Sequence, residues 1–151
     1  METNDYRKIL ETAINNEMEA YEFYSNIAQK ARDTELKSIF SELANEEMRH
    51  KLQLESLLKN ESRLVRFKSG MLREITETED LPILNSEMCF ADGVALAMKK
   101  EEEAMTMYQQ FAEASVDETQ KNIFLQLSIM EQRHRDRLEC IYTNTDYKDL
   151  W

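Results

Sequence analysis

Glycine and proline, the residues that most readily interrupt a helix, occur at only three places in these 151 residues: Gly70, Pro82 and Gly93. All three fall within one window, so the chain on either side of it is free to run as unbroken helix. What fills those flanks is rich in Glu, Leu, Met, Lys, Gln and Ala, all good helix formers. An all-α protein is therefore expected. Its length suits a single domain over 1–151, large enough to bury a core without disulfides.

Spacing along the flanks gives the helices their inner faces. Leu10, Ala13, Ile14, Glu17, Ala20, Tyr21, Tyr24 and Ala28 recur at steps of three and four, and so do Leu36, Phe40, Leu43, Glu47, His50, Leu54 and Leu57. The polar turn KARDTELK separates the two series, with Asp33 or Thr34 placed to cap the second helix. A second pair of series follows: Ala97, Glu101, Ala104, Tyr108, Phe111 and Ala112, then Phe124, Leu127, Glu131, His134, Leu138 and Ile141, with EASVDETQ as the turn. Two helical hairpins result, at about 4–59 and about 92–143, each helix about 37 Å long at 1.5 Å per residue. The segment of about 60–91 between them is long enough to travel the length of a bundle, as a four-helix bundle with one long crossover connection requires. Leu64, Val65, Phe67, Met71, Leu72 and Ile75 predict that this crossover is partly helical and packs on the bundle.

The two hairpins are copies of one another. Shifted by 84 positions, residues 13–55 match 97–139 without a gap at 16 of 43 positions, among them Glu17/Glu101, Tyr24/Tyr108, Glu47/Glu131 and His50/His134. Shared helical composition alone would give about a tenth, so two related hairpins facing each other across a pseudo-twofold axis are expected.

That symmetry isolates the chemistry. The only two histidines, His50 and His134, occupy equivalent positions, and each follows a glutamate by three residues, which puts Glu47 with His50 and Glu131 with His134 on one helix face. The periodic series place these four residues, and Glu17 and Glu101, on stripes that ought to be apolar. A bundle interior does not hold four unpaired carboxylates, because each buried charge costs several kcal/mol. Two divalent cations would bring the site to zero net charge. Carboxylate oxygens with one imidazole per ion suit iron or manganese, and the thiolates of structural zinc are absent from the set. By the same alignment Glu46 faces Met130 and is left on the flank, while Glu19, Glu102 and Glu103 read as solvated helix charge.

The pattern AxxxExxAxxxY followed by ExxH occurs twice, as Ala13-Glu17-Ala20-Tyr24 with Glu47-His50 and as Ala97-Glu101-Ala104-Tyr108 with Glu131-His134. It resembles the rubrerythrin branch of the ferritin-like di-iron carboxylate superfamily, whose ligand arrangement is one Glu from each of two helices and Glu-x-x-His from each of the others. The resemblance implies that Glu47 and Glu131 bridge two metal ions, iron first, with manganese or zinc as substitutes. Glu17 and Glu101 would be terminal ligands, His50 and His134 would bind one ion each, and Tyr24 and Tyr108 would hydrogen-bond ligand carboxylates across the bundle. No catalytic group beyond the ligands is implied. The chain departs from rubrerythrins proper in two ways: Ala104 stands where they carry an extra metal-reaching glutamate, and there are no paired CxxC motifs of a rubredoxin domain. Both departures bear on the peroxidase reading more than on the metal site.

The expected function is thus an oxidoreductase that reduces hydrogen peroxide, or dioxygen, with electrons from an external donor such as a rubredoxin-like protein. A ferroxidase that handles iron is the alternative, and a non-catalytic metal-binding bundle the third reading; only YTNTDYKDLW follows Ile141, which argues against a ferritin shell. A homodimer would be usual for the family. A formal charge of −11 repels phosphate backbones and anionic lipid, which excludes nucleic-acid and membrane-surface roles. With no apolar run of about 20 residues and no apolar stretch at the amino terminus, a soluble cytoplasmic protein is expected. Cys89 and Cys140 read as reduced core thiols, with a redox pair at one end of the bundle as the alternative.

Overall fold

The computed structural model of the chain describes residues 2–59, 67–68, 81–84 and 88–144. Among these are four helices, α1 (Glu2–Lys30), α2 (Thr34–Lys59), α3 (Phe90–Ala114) and α4 (Glu118–Thr143), and α1 pairs with α2 as α3 does with α4. The architecture is an all-α four-helix bundle. Each hairpin turns in the same way. Asp33 caps α2 by accepting from the Leu36 N–H at 2.9 Å, and its repeat mate Asp117 caps α4 by accepting from Gln120 N–H at 2.8 Å. Each aspartate takes one of the orphan donors of a helix start.

Burial repeats with the sequence. In α1 the buried positions include Ile9, Leu10, Ala13, Glu17, Phe23, Tyr24, Ile27 and Ala28, and in α3 the positions 84 residues later are buried too. Helices α2 and α4 show the same correspondence from Leu36/Gln120 to Leu54/Leu138. Phe23 and Ile27 extend the inner face of α1 beyond the stripe read from periodicity, since they fill the space beside the first turn. One pair differs in size: Gly93 stands where α1 has Ile9, and a Cβ there would lie 2.8 Å from Cζ of Phe23, so this glycine admits the ring.

Two apolar clusters result. One gathers Phe23, Tyr24, Phe40, Phe90 and Val94 toward the α1–α2 turn; the other gathers Leu10, Tyr108, Phe111, Phe124 and Leu127 toward the α3–α4 turn. The connector touches both. Phe67 packs on Phe111 and Phe124 with ring centroids 5.8 and 6.1 Å away, and Lys68 N–H donates to Ala114 O at 2.6 Å. Further along, Leu84 is buried in the first cluster. The described pieces of the connector therefore lie toward opposite ends of the bundle, as those of a crossover must. Of the apolar residues expected to pack it down, Leu64, Val65, Met71, Leu72 and Ile75 lie outside the described residues.

The cysteines are not core residues. Cys89 and Cys140 are both free and exposed. Cys89 immediately precedes α3 in extended backbone, and Cys140 lies off the stripe of α4 that Leu138 and Ile141 turn inward.

Candidate metal centre

Between the two apolar clusters lies a layer of acid and imidazole. Glu17, Glu47, Glu101 and Glu131 are 1–3 % exposed, His50 6 % and His134 1 %. Each helix contributes from its inner face: Glu17 from α1, Glu47 and His50 from α2, Glu101 from α3, and Glu131 and His134 from α4.

The six form two overlapping groups. Glu17, Glu47, His50 and Glu131 offer ligand atoms within 4.8 Å of one another, and so do Glu47, Glu101, Glu131 and His134. Glu47 and Glu131 belong to both. The histidines cross the bundle: His50 Nδ1 lies 2.7 Å from Glu131 Oε1, and His134 Nδ1 lies 2.6 Å from Glu47 Oε1. Their rings stack at 5.7 Å between centroids.

Tyrosines hold the outer two carboxylates. Tyr24 on α1 donates to Glu101 Oε1 on α3 at 2.6 Å, and Tyr108 on α3 donates to Glu17 Oε1 on α1 at 2.5 Å. Burial first, then the neighbouring Glu101 and Glu17 charges respectively, push both phenols well above their usual range, so they remain protonated donors.

The second oxygens of Glu17, Glu47 and Glu101 are buried and accept no hydrogen bond. Buried carboxylate oxygens without partners are costly, and the cluster sheds charge in response. Burial, reinforced by the charges of Glu101 and Glu17, holds the Glu131 carboxyl well above the usual carboxylate range. For His134 burial opposes the proton, but the nearby Glu101 carboxylate and the hydrogen-bonded Glu46 outweigh it and raise its pKa. Burial acts on Glu101 in the upward direction as well, yet the neighbouring Glu131 carboxyl, the His134 ring 3.7 Å away and the Tyr24 hydroxyl together outweigh it and lower it. Orphan oxygens, shared carboxylates and one imidazole in each group fit a pair of divalent cations.

A family model for rubrerythrin matches residues 8–142. The chain belongs to the rubrerythrin family. A solved structure of a hypothetical protein from Pyrococcus furiosus is similar, at 29 % identity and a TM-score of 0.67 over 89 % of this chain and 85 % of that one. No curated protein matches the chain. In rubrerythrin-family terms the six residues singled out from the repeat occupy one buried layer, with the two tyrosines behind it.

Two further residues serve this layer and escaped the periodic reading. Glu46, expected on the flank, carries the acceptor for His134 Nε2 across the bundle. Glu19, expected to be solvated, is half-buried and joins three segments, accepting from Leu84 N–H at 2.7 Å and Lys100 Nζ at 2.6 Å. Glu102 is exposed as expected and pairs with Arg135, while Glu103 is half-buried. A cavity of about 240 Å³ opens beside these groups. It reaches all four buried glutamates, is walled by Ala20, Ala104, Met107 and Leu84, and has neither histidine in its lining. The cavity thus lies on the α1–α3 side of the layer, beside Leu81, Ile83 and Leu84 of the connector, and Ala104 leaves open the room a longer side chain would occupy.

No described helix is long and apolar enough to cross a membrane.

Proposed function

We propose that this chain is a non-haem di-iron oxidoreductase that reduces hydrogen peroxide, or dioxygen, with electrons from an external donor. The observation that carries the reading is the pair of four-residue groups sharing Glu47 and Glu131, reached by a cavity that ends on their carboxylates. Glu17 and His50 would hold one ion, Glu101 and His134 the other, and the shared glutamates both. Bound there, two irons supply two electrons together to an O–O bond. Four carboxylates and two imidazoles offer fewer donor atoms than the about twelve that two six-coordinate ions take, which leaves positions for a small oxidant.

The protein's own part is to position and to exclude. The apolar clusters close the layer at both ends, so the carboxylates are reached through the cavity alone among the described residues and charge interactions between them are strong. Tyr24 and Tyr108 keep Glu101 and Glu17 oriented by donating to one oxygen of each, which leaves the other oxygen buried and without a hydrogen-bond partner. The cavity admits a molecule as small as peroxide from the side opposite the imidazoles, where Ala20 and Ala104 present no obstacle. Reduction of peroxide to two waters consumes two protons with the two electrons, and the open α1–α3 side lets solvent supply them.

The test is anaerobic loading with Fe(II), then rapid mixing with stoichiometric peroxide or dioxygen while following ferric absorbance and its loss on adding reductant. Faster oxidation by peroxide, with iron retained and re-reducible, is expected. Oxygen-driven turnover that releases ferric product would instead make this an iron-handling protein. Absence of any redox response would reduce the site to a structural metal.

A further inference from the structure

We infer that Glu46 makes the two halves of the centre unequal, holding His134 ready for a metal ion so that the Glu101–His134 half fills before the Glu17–His50 half. This rests on the metal-binding reading above.

Toward the interior the two histidines are near mirror images. His50 Nδ1 is 2.7 Å from Glu131 and 3.7 Å from both Glu17 and Glu47; His134 Nδ1 is 2.6 Å from Glu47, 3.7 Å from Glu101 and 3.9 Å from Glu131. On their outer sides they differ. His134 Nε2–H donates to the carboxylate of Glu46, which reaches across from α2 and is itself half-buried. The residue related to Glu46 by the repeat is Met130, a thioether with no carboxylate to offer, and no described residue accepts from His50 Nε2. Burial follows the same asymmetry, with 1 % of the His134 side chain exposed against 7 % of His50.

Three consequences favour the His134 half. With Nε2–H held by Glu46, Nδ1 is the nitrogen that gives up its proton to an incoming ion, and it already lies against Glu47 and Glu101 where that ion would sit. A ring held at both nitrogens loses little freedom on binding, whereas His50 is anchored at one. Glu46 also brings a fifth carboxyl group to the layer, against His134 alone. Removing such an outer partner of a ligating histidine ordinarily weakens metal affinity about 10- to 100-fold, and that factor is the expected separation between the halves. Glu46 is thus a positioning residue, acting through His134. The glutamate that local sequence symmetry dismissed matters because it has no symmetric mate.

The experiment is an equilibrium titration of the metal-free full chain with Co(II), read by its visible absorption bands. The wild type is expected to bind two ions in steps separated by about 10- to 100-fold. In Glu46→Met, which copies the other half, the tight step should weaken to meet the other; Glu46→Gln, which keeps an acceptor oxygen, should recover part of the separation. Met130→Glu, the reciprocal change, should tighten the weak step, and it keeps the inference testable if the first variant fails to fold. The paramagnetically shifted ring N–H of His134 gives an independent signature: slow to exchange in the wild type, lost in Glu46→Met. Two equal steps in the wild type, or a Glu46→Met that weakens both steps alike or neither, would overturn the inference while leaving the di-metal site standing. Absence of cobalt binding by the wild type would bring down the metal reading itself, and this inference with it.

Discussion

Replacing Glu131 by glutamine should make the metal-free protein more stable and the metal-loaded protein less so. Glu131 is 1 % exposed, its proton affinity is raised by burial and by repulsion from Glu101 and Glu17, and its Oε1 faces His50 Nδ1 at 2.7 Å. Glutamine keeps the shape and an acceptor oxygen but removes the charge. Exchanging buried ionic groups for neutral ones of the same shape is neutral or stabilising by about 1–4 kcal/mol when no partner is left unpaired, a condition the glutamine oxygen meets by still facing His50. In a chain of this size Tm rises by roughly 2–4 °C for each kcal/mol. With metal present the order reverses. Each ion held at one hundred times its dissociation constant adds about 2.7 kcal/mol, so two sites add roughly 5 kcal/mol to the wild type. Glu131→Gln loses a ligand shared by both groups and should gain less than half of that. Thermal melts in chelator and in excess Mn(II) would show the two proteins exchanging rank. A variant that melts below the wild type in chelator, or that gains as much from metal, would refute the claim that these carboxylates are strained until cations neutralise them.

Other outcomes follow from the same geometry. Tyr108→Phe and Tyr24→Phe each remove a donor to a buried carboxylate; each should lower metal affinity about 10-fold or more and destabilise the metal-free chain by about 1.5–3 kcal/mol, measured by titration and urea unfolding. Stability of the metal-free protein should fall as pH rises. The raised pKa values of Glu131 and His134 give stability that is present below their ordinary values of 4.5 and 6.5 and is lost as pH climbs through the folded-state values. The lowered Glu101 acts oppositely, its contribution vanishing only as pH drops below 4.5. Metal-loaded protein should show the reverse trend, because the ligands bind deprotonated; urea midpoints from about pH 5 to 8, with and without chelator, would reveal a metal-free curve that rises if the reasoning is wrong. Glu19→Ala frees Leu84 N–H from its acceptor, so that amide should lose its protection from hydrogen exchange while amides in mid-α2 keep theirs. Unchanged protection would mean that Glu19 does not hold the connector beside the cavity.

The helices and their inner faces were readable in the sequence because helix breakers are confined to one window and the buried positions repeat at a spacing of 84. The same repeat singled out the six buried acid and imidazole groups, since apolar stripes carrying charge are conspicuous. Glu46 and Glu19 were not legible for a common reason. Periodicity reports the stripe of one helix at a time, and both residues sit beside that stripe, where only the neighbouring helix or strap decides whether a side chain meets water or a partner. The cysteines failed in the opposite direction: a thiol's preference for burial is general, while the positions of Cys89 and Cys140 outside the inner face are particular to this fold.

The central claim is that four buried glutamates and two histidines form one site for two ions. Metal analysis of chains reconstituted with Fe(II) under anaerobic conditions and then freed of loose metal tests it most directly. Wild type should retain two ions per chain, and the Glu47→Ala, Glu131→Ala double variant, lacking both shared ligands, should retain none. Two ions still bound by the double variant would contradict the account.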